Sequence, residues 1–365
     1  MNHRRETDIR TDKQRSDGKL EGKEYIMDYQ QAADTWCDAL PLGNGRLGAM
    51  IYGHTRVDRI QLNEDSLWYG KAMDRNNPRL KDALADIRRH VFAGEIREAE
   101  DLIQRYMLGA PYSMRHYESL GELDIGVNKL SPFSAGWFPN SEGAEHYTQT
   151  LDLMRGIHTM SWTQEGVSFS RECFISYPDQ VLCLRYHASR PGALQINVRY
   201  DRGYIFEGLV PDPRRPGEMI RAGGWGSMFL DSNHTQGPHT LVATGNAGGT
   251  VFGLAIAMDS DGAVTDAYTQ LYTDGATTVT LYLAAATDNR ESDPLAASLE
   301  RVNHAKALGF AQLRHRHVQD FEPLMRRCTL DLGQGAALPV NQRIAALKAG
   351  GDDPALCALY FTFGR

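Results

Sequence analysis

The sequence predicts a mainly β fold, a large antiparallel β-sandwich followed by a helical stretch, and three observations carry that expectation. Residues 36–283 are a succession of short apolar runs separated by glycine-rich turns. Eleven such runs follow one another with a single helical interruption, whereas parallel strands would need a long crossover between each pair. After Thr287 the apolar spacing changes to that of helices.

The opening residues, 1–22, are charged and lack the apolar stretch of a signal peptide, so a disordered tail is expected there. The runs are GAMIYG, RIQLNE, GELDIGV, HYTQTLDL, IHTMSWT, SFSRECFISY, VLCLRYHA, ALQINVRY, TLVATG, TVFGLAIAM and TVTLYLAAA. In SFSRECFISY a period of two places Phe169, Arg171, Cys173 and Ile175 on one face and Phe174 on the other. The helical interruption starts at Asn77-Pro78, a capping residue before an N1 proline, and repeats Leu80, Leu84, Ile87 and Val91 up to Gly94. A second short helix is expected through Ile96, Ala99, Ile103 and Tyr106.

Ser292-Asp293-Pro294 then starts a helix that Gly309 interrupts and Phe310, Leu313, Val318, Phe321 and Leu324 continue. CTLDLG reads as a strand-like piece, followed by a helix over 341–350 and a last one from Asp353-Pro354. That last helix carries Leu356, Leu359, Tyr360 and Phe363 and breaks off at Arg365, which predicts a truncated chain. The expected division is a tail over 1–22, a sandwich over 23–288, a helical linker over 289–328 and the start of a further domain over 329–365.

Charge and cysteines narrow the function classes. With 39 Lys plus Arg against 46 Asp plus Glu, the net charge is −7, which provides no electrostatic attraction for a phosphate backbone. No run reaches the ~20 apolar residues of a membrane span. Neither nucleic acid nor a membrane is an expected partner. The five cysteines are scattered singly, without the paired spacing of a zinc site or a disulfide framework, so free thiols and a cytoplasmic location are expected.

Gly43-Asn44-Gly45-Arg46-Leu47-Gly48 matches the glycine pattern of dinucleotide-binding turns. That function needs a helix immediately after the turn, and AMIYGHT does not read as one, so a tight turn is the better account. Asn63-Glu64-Asp65 with Trp68 is a polar and aromatic cluster suited to sugar, whose hydroxyls seek side-chain acceptors and whose apolar ring face stacks on an indole. A solvated turn is the plainer account of that cluster. In extended backbone Glu64 and Asp65 point to opposite faces and cannot form a facing acid and base. His315 and His317 lie about 200° apart on a helix and would not share a metal. Tyr117, Glu118, Glu122 and Asp124 have no partner fixed by spacing, and no cofactor site is expected.

The strings ALPLGNGRLGAMIYG, RIQLNEDSLWYG, YESLGELDI, SRECFISYPDQVLCLRY, VQDFEPLMRRCTLDLG and DPALCALYFTFGR together resemble the N-terminal portion of glycoside hydrolase family 95, the α-L-fucosidase-like enzymes. The resemblance spans nearly the whole chain. It implies a sandwich, a helical linker and the first helix of an (α/α)6 toroid that holds the active site and packs on the other two parts. It further implies an inverting hydrolase acting on fucosylated glycans, with α-L-galactosides as a substrate variant. Its catalytic groups would lie beyond Arg365, leaving none in this chain. Under this reading Asn63, Glu64 and Trp68 are the substrate-binding candidates, reaching the rim of the pocket. A free-standing carbohydrate-binding sandwich is the competing reading from another class.

Overall fold

The computed structural model describes residues 25–128, 143–202, 204–211, 219–224 and 230–365, and the expected tail lies outside them. The chain begins with β1 (Ile26–Tyr29), β2 (Leu40–Gly43), β3 (Leu47–Ile51) and β4 (Val57–Glu64), then α1 (Leu80–Ala93) and α2 (Ile96–Tyr106). There follow β5 (Gly121–Val127), β6 (Glu145–Asp152), β7 (Ile157–Gln164), β8 (Val167–Ser176), β9 (Val181–Ala188) and β10 (Leu194–Asp201). Next come β11 (Tyr204–Pro211), β12 (Met219–Gly224), β13 (Leu230–Thr235), β14 (Thr240–Ala247) and β15 (Thr250–Ser260). The strands end with β16 (Ala263–Asp266), β17 (Gln270–Ala276) and β18 (Thr278–Thr287). Helices α3 (Pro294–Leu308), α4 (Phe310–Met325), α5 (Val340–Lys348) and α6 (Pro354–Phe363) complete the chain.

Among the described residues, one sheet has the order β1-β6-β7-β8-β9-β18-β15-β14-β13 and faces another of order β16-β17-β10-β5-β4-β3-β2. All eleven sequence-predicted runs are strands. Between the sheets lie Leu42, Ala49, Ile60, Leu62 and Ile125 from one side and Trp162, Phe169, Leu184, Ile256 and Leu283 from the other. This is the sandwich the alternating pattern demands.

The nine-stranded sheet is covered on its outer face as well. Phe174, Cys183, Ala255 and Tyr282 pack there against Val302, Ala305, Phe310 and Leu313 of α3 and α4. Burial on both faces is why β15 and β18 read as nearly unbroken apolar runs. A Cβ on Gly253 of β15 would come within 2.4 Å of the Leu295 nitrogen, so the start of α3 can seat only over a glycine.

The predicted faces of β8 hold, and Arg171 is thereby buried in the interior. Its guanidinium pairs with Asp58, both side chains having no solvent exposure, and Tyr186 donates its hydroxyl to the same carboxylate oxygen at 2.8 Å. Arg171 Nη2 also lies 3.2 Å from His158 Nδ1. A guanidinium can only donate, so Nδ1 is the acceptor and His158 is neutral, with its proton on Nε2 facing Gln149 Oε1 at 3.1 Å. Burial agrees, pushing the His158 pKa down to about 3.

The C-terminal helices follow their predicted signals with two differences. Asp293 caps α3 by accepting from the Ala296 amide at 3.0 Å, and Gly309 separates α3 from α4. Asp353 caps α6 through the Leu356 amide at 2.9 Å. CTLDLG is not a strand: residues 330–338 run without regular structure along a cavity of about 460 Å3 that Tyr25, Ile26 and Asp28 line from the β1 side. Helix α6 buries Leu356 and Leu359 in the sandwich core, while Tyr360, at 75% exposure, and Phe363 remain outside. Among the described residues no helix is long and apolar enough to cross a membrane.

Candidate functional site

One end of the sandwich gathers the β2–β3 hairpin tip, the end of β4, the β8–β9 turn and the segment leading out of β18. Asn44 organises the first of these. Its Oδ1 accepts from the Arg46 and Leu47 amides at 3.0 and 2.8 Å, and its Nδ2 donates to Ser176 O at 3.0 Å. Gly45 has φ of 84°, the left-handed region that such a turn requires. The string GNGRLG is therefore a hairpin running into β3, and it presents no helix N-terminus to a pyrophosphate.

The end of β4 is tied to the start of the linker. Glu64 is 4% exposed and accepts from the Ser66 amide at 2.9 Å and the Ser66 hydroxyl at 2.7 Å. Arg290 Nη1 lies 3.3 Å from Glu64 Oε1, and the same guanidinium pairs with both oxygens of Asp65. The two carboxylates converge because β4 ends at Glu64, so the alternation that would separate them stops there. Burial raises the Glu64 pKa, and the Arg290 hydrogen bonds lower that of Asp65. Asn289 Nδ2 adds a bond to Ser66 O at 2.9 Å, and the Ser66 and Thr287 hydroxyls are 2.5 Å apart.

This is a clamp between sandwich and linker. The cavity beside it, lined by Arg46, Glu64, Gln180 and Arg290, holds about 10 Å3, room for roughly one water. Neither carboxylate faces another across the gap that an inverting hydrolase needs.

Trp68 donates its indole N–H to Asp65 O at 3.2 Å and meets the Tyr117 ring edge-on at 5.3 Å. Tyr117 in turn donates to Glu64 O at 2.7 Å. Asn63 lies on the outer face of its sheet, half-buried, with Nδ2 3.3 Å from Gln61 Oε1 and Oδ1 accepting from Gln61 Nε2 at 3.2 Å. The structure thus joins Glu64 and Trp68 through the Asp65 turn and sets Asn63 on a different surface.

Arg290 was not legible as part of the cluster, since it lies 226 positions from Glu64 and no local spacing links them. His317 sits between the Phe174 and Phe321 rings with Nε2 2.7 Å from Arg155 O, a contact between linker and sandwich. Among the described residues no group of three or more His, Cys, Asp or Glu could hold a metal ion.

Comparison with known proteins gives two family matches in chain order. Residues 27–292 match the model described as "Glycosyl hydrolase family 65, N-terminal domain", and residues 309–365 match "Glycosyl hydrolase family 95 catalytic domain". The chain is 26% identical over 369 residues to "Alpha-L-fucosidase 2" of Arabidopsis thaliana, covering 96% of this chain and 42% of that protein. It is also 26% identical over 350 residues to "Probable alpha-fucosidase A" of Aspergillus niger, covering 90% and 40%. A protein of the same description from Aspergillus oryzae is 24% identical over 361 residues, covering 91% and 45%. The chain therefore spans about two fifths of the length of these relatives.

Proposed function

The chain belongs to the glycosyl hydrolase family 65 N-terminal domain family through residues 27–292, and from that premise we propose that it serves as the N-terminal, non-catalytic region of an α-L-fucosidase-like glycoside hydrolase. The observation that carries this reading is the order of the two family matches, sandwich and then catalytic domain, in a chain that aligns over 90% or more of its length with α-fucosidases. The whole enzyme removes terminal α-L-fucose from glycans with inversion. Its acid and base, roughly 6.5–9.5 Å apart in such enzymes, reside in the catalytic domain, which packs on the sandwich and linker.

In this reading the sandwich sets the geometry of that partner. The grip of Glu64 and Asp65 on Arg290 fixes how the linker leaves β18, and Trp68 braces the turn that makes the grip. Of the three sequence-derived candidates, Glu64 and Trp68 contribute to an outer subsite at the domain boundary, Glu64 by positioning and Trp68 by contact, while Asn63 lies on another surface. The five free cysteines support a reducing compartment.

The test is to replace the matching N-terminal region of the Arabidopsis relative with this chain. A folded hybrid that hydrolyses 4-nitrophenyl α-L-fucoside supports the reading, and a folded hybrid without that activity refutes it. In an active hybrid, Trp68→Ala should raise KM with kcat little changed.

A further inference from the structure

The outer face of the seven-stranded sheet carries a bare patch at its β2 edge. Burial alternates along β2 and β3, so Leu40, Leu42, Leu47, Ala49 and Ile51 point inward while Pro41, Gly43, Gly48 and Met50 face out. Gly43 pairs with Gly48, and Gly48 with Asn63. Three adjacent strands therefore present two glycines and one asparagine in a single row.

Neither glycine is required by its backbone conformation or by lack of space. Neither has a left-handed φ, and a Cβ would meet nothing nearer than 3.5 Å at Gly43 or 3.8 Å at Gly48. Glycine inside a strand costs stability of about 0.5–1 kcal/mol relative to alanine, and where backbone and space do not require it, one use is to leave room for a ligand to approach the backbone closely.

The next row supplies the walls. Trp36, in a short 3-10 turn ahead of β2, is 46% exposed and donates its indole N–H to Gln61 Oε1 at 3.1 Å. Gln61 is nearly buried, with Asn63 Oδ1, Leu62 O and Ser119 Oγ 3.2, 2.9 and 3.1 Å from its Nε2, whose two hydrogens these three acceptors share. Asn63 keeps one amide hydrogen and one lone pair beyond its bonds to Gln61. An exposed indole, fixed by its edge to Gln61, thus adjoins the Gln61–Asn63 amide pair, one row from Gly48 and Gly43.

We propose that this trough is a carbohydrate subsite, with one neutral pyranose lying over Gly43 and Gly48, an apolar face against Trp36 and hydroxyls on Asn63. The uncharged amide pair and the exposed indole match the two faces of a sugar ring. The choice of a fucosyl ligand rests on the proposed function, but the site does not.

The probe is 2′-fucosyllactose, titrated into the purified 365-residue chain by calorimetry, with maltotriose in parallel. The expected result is binding that weakens about tenfold or more in Trp36→Ala, the loss of roughly one stacking contact. Gly48→Val should weaken it as much while leaving the thermal midpoint unchanged or higher, because valine suits a strand and has room. Binding of neither sugar, or undiminished binding by folded Gly48→Val, overturns the proposal. Equal binding of both sugars, with the same response to Gly48→Val, supports the trough and removes the fucosyl assignment.

Discussion

Arg171 and Asp58 are the side chains on which the interior most depends. Each is fully buried and paired with the other, and Arg171 Nε and Asp58 Oδ1 have no further partner among the described residues. Removing one member leaves a lone charge between the sheets, which costs about 3–5 kcal/mol. Arg171→Met should therefore lower the unfolding free energy measured in urea by that amount, and an unchanged midpoint would show that the pair contributes nothing. The alternation of SFSRECFISY already placed Arg171 with Phe169 and Cys173. Its partner could not be read, because Asp58 lies 113 positions away and on the other sheet. Distance in sequence likewise hid Arg290 from Glu64, 226 positions away. Local chemistry such as the Asp293 and Asp353 caps was legible because donor and acceptor lie three residues apart.

Among elements, α6 offers the clearest pH dependence. Asp353 caps the helix and receives both Nε and Nη2 of Arg343 at 2.8 Å, and those hydrogen bonds hold its pKa below the usual carboxylate range. A depressed folded value contributes stability that is present above the unfolded pKa of about 3.9 and is lost as pH falls through the folded one. Amides of residues 355–363 should thus exchange faster below about pH 4 than at pH 7, after correction for intrinsic rates. Asp353→Asn should weaken α6 at pH 7 by about 1–2 kcal/mol, with a smaller penalty in acid. Equal exchange at both pH values would remove Asp353 from the account. Apolar period-two runs revealed eleven strands, whereas β13, β16 and β17 carry too many polar residues to stand out. CTLDLG shows the converse, since its apolar alternation pairs with no strand among the described residues.

At the scale of the whole molecule, the sandwich and the helices α3 and α4 form one body through the second core, and α6 adds two leucines to the first. The connection over 326–338 is exposed coil between them, carrying Arg326 and Arg327. Limited trypsin digestion should cut there before it cuts within the sheets, and a first cut inside β14–β18 would contradict this layout. Helix α6 leaves Tyr360, Phe361 and Phe363 exposed, apolar surface that nothing among the described residues covers. The central claim is that sugar cleavage requires groups this sandwich does not supply. Its most direct test is to incubate the purified 365-residue chain with 4-nitrophenyl α-L-fucoside: release of nitrophenol at the uncatalysed rate is the predicted result, and turnover abolished by Glu64→Gln would contradict it.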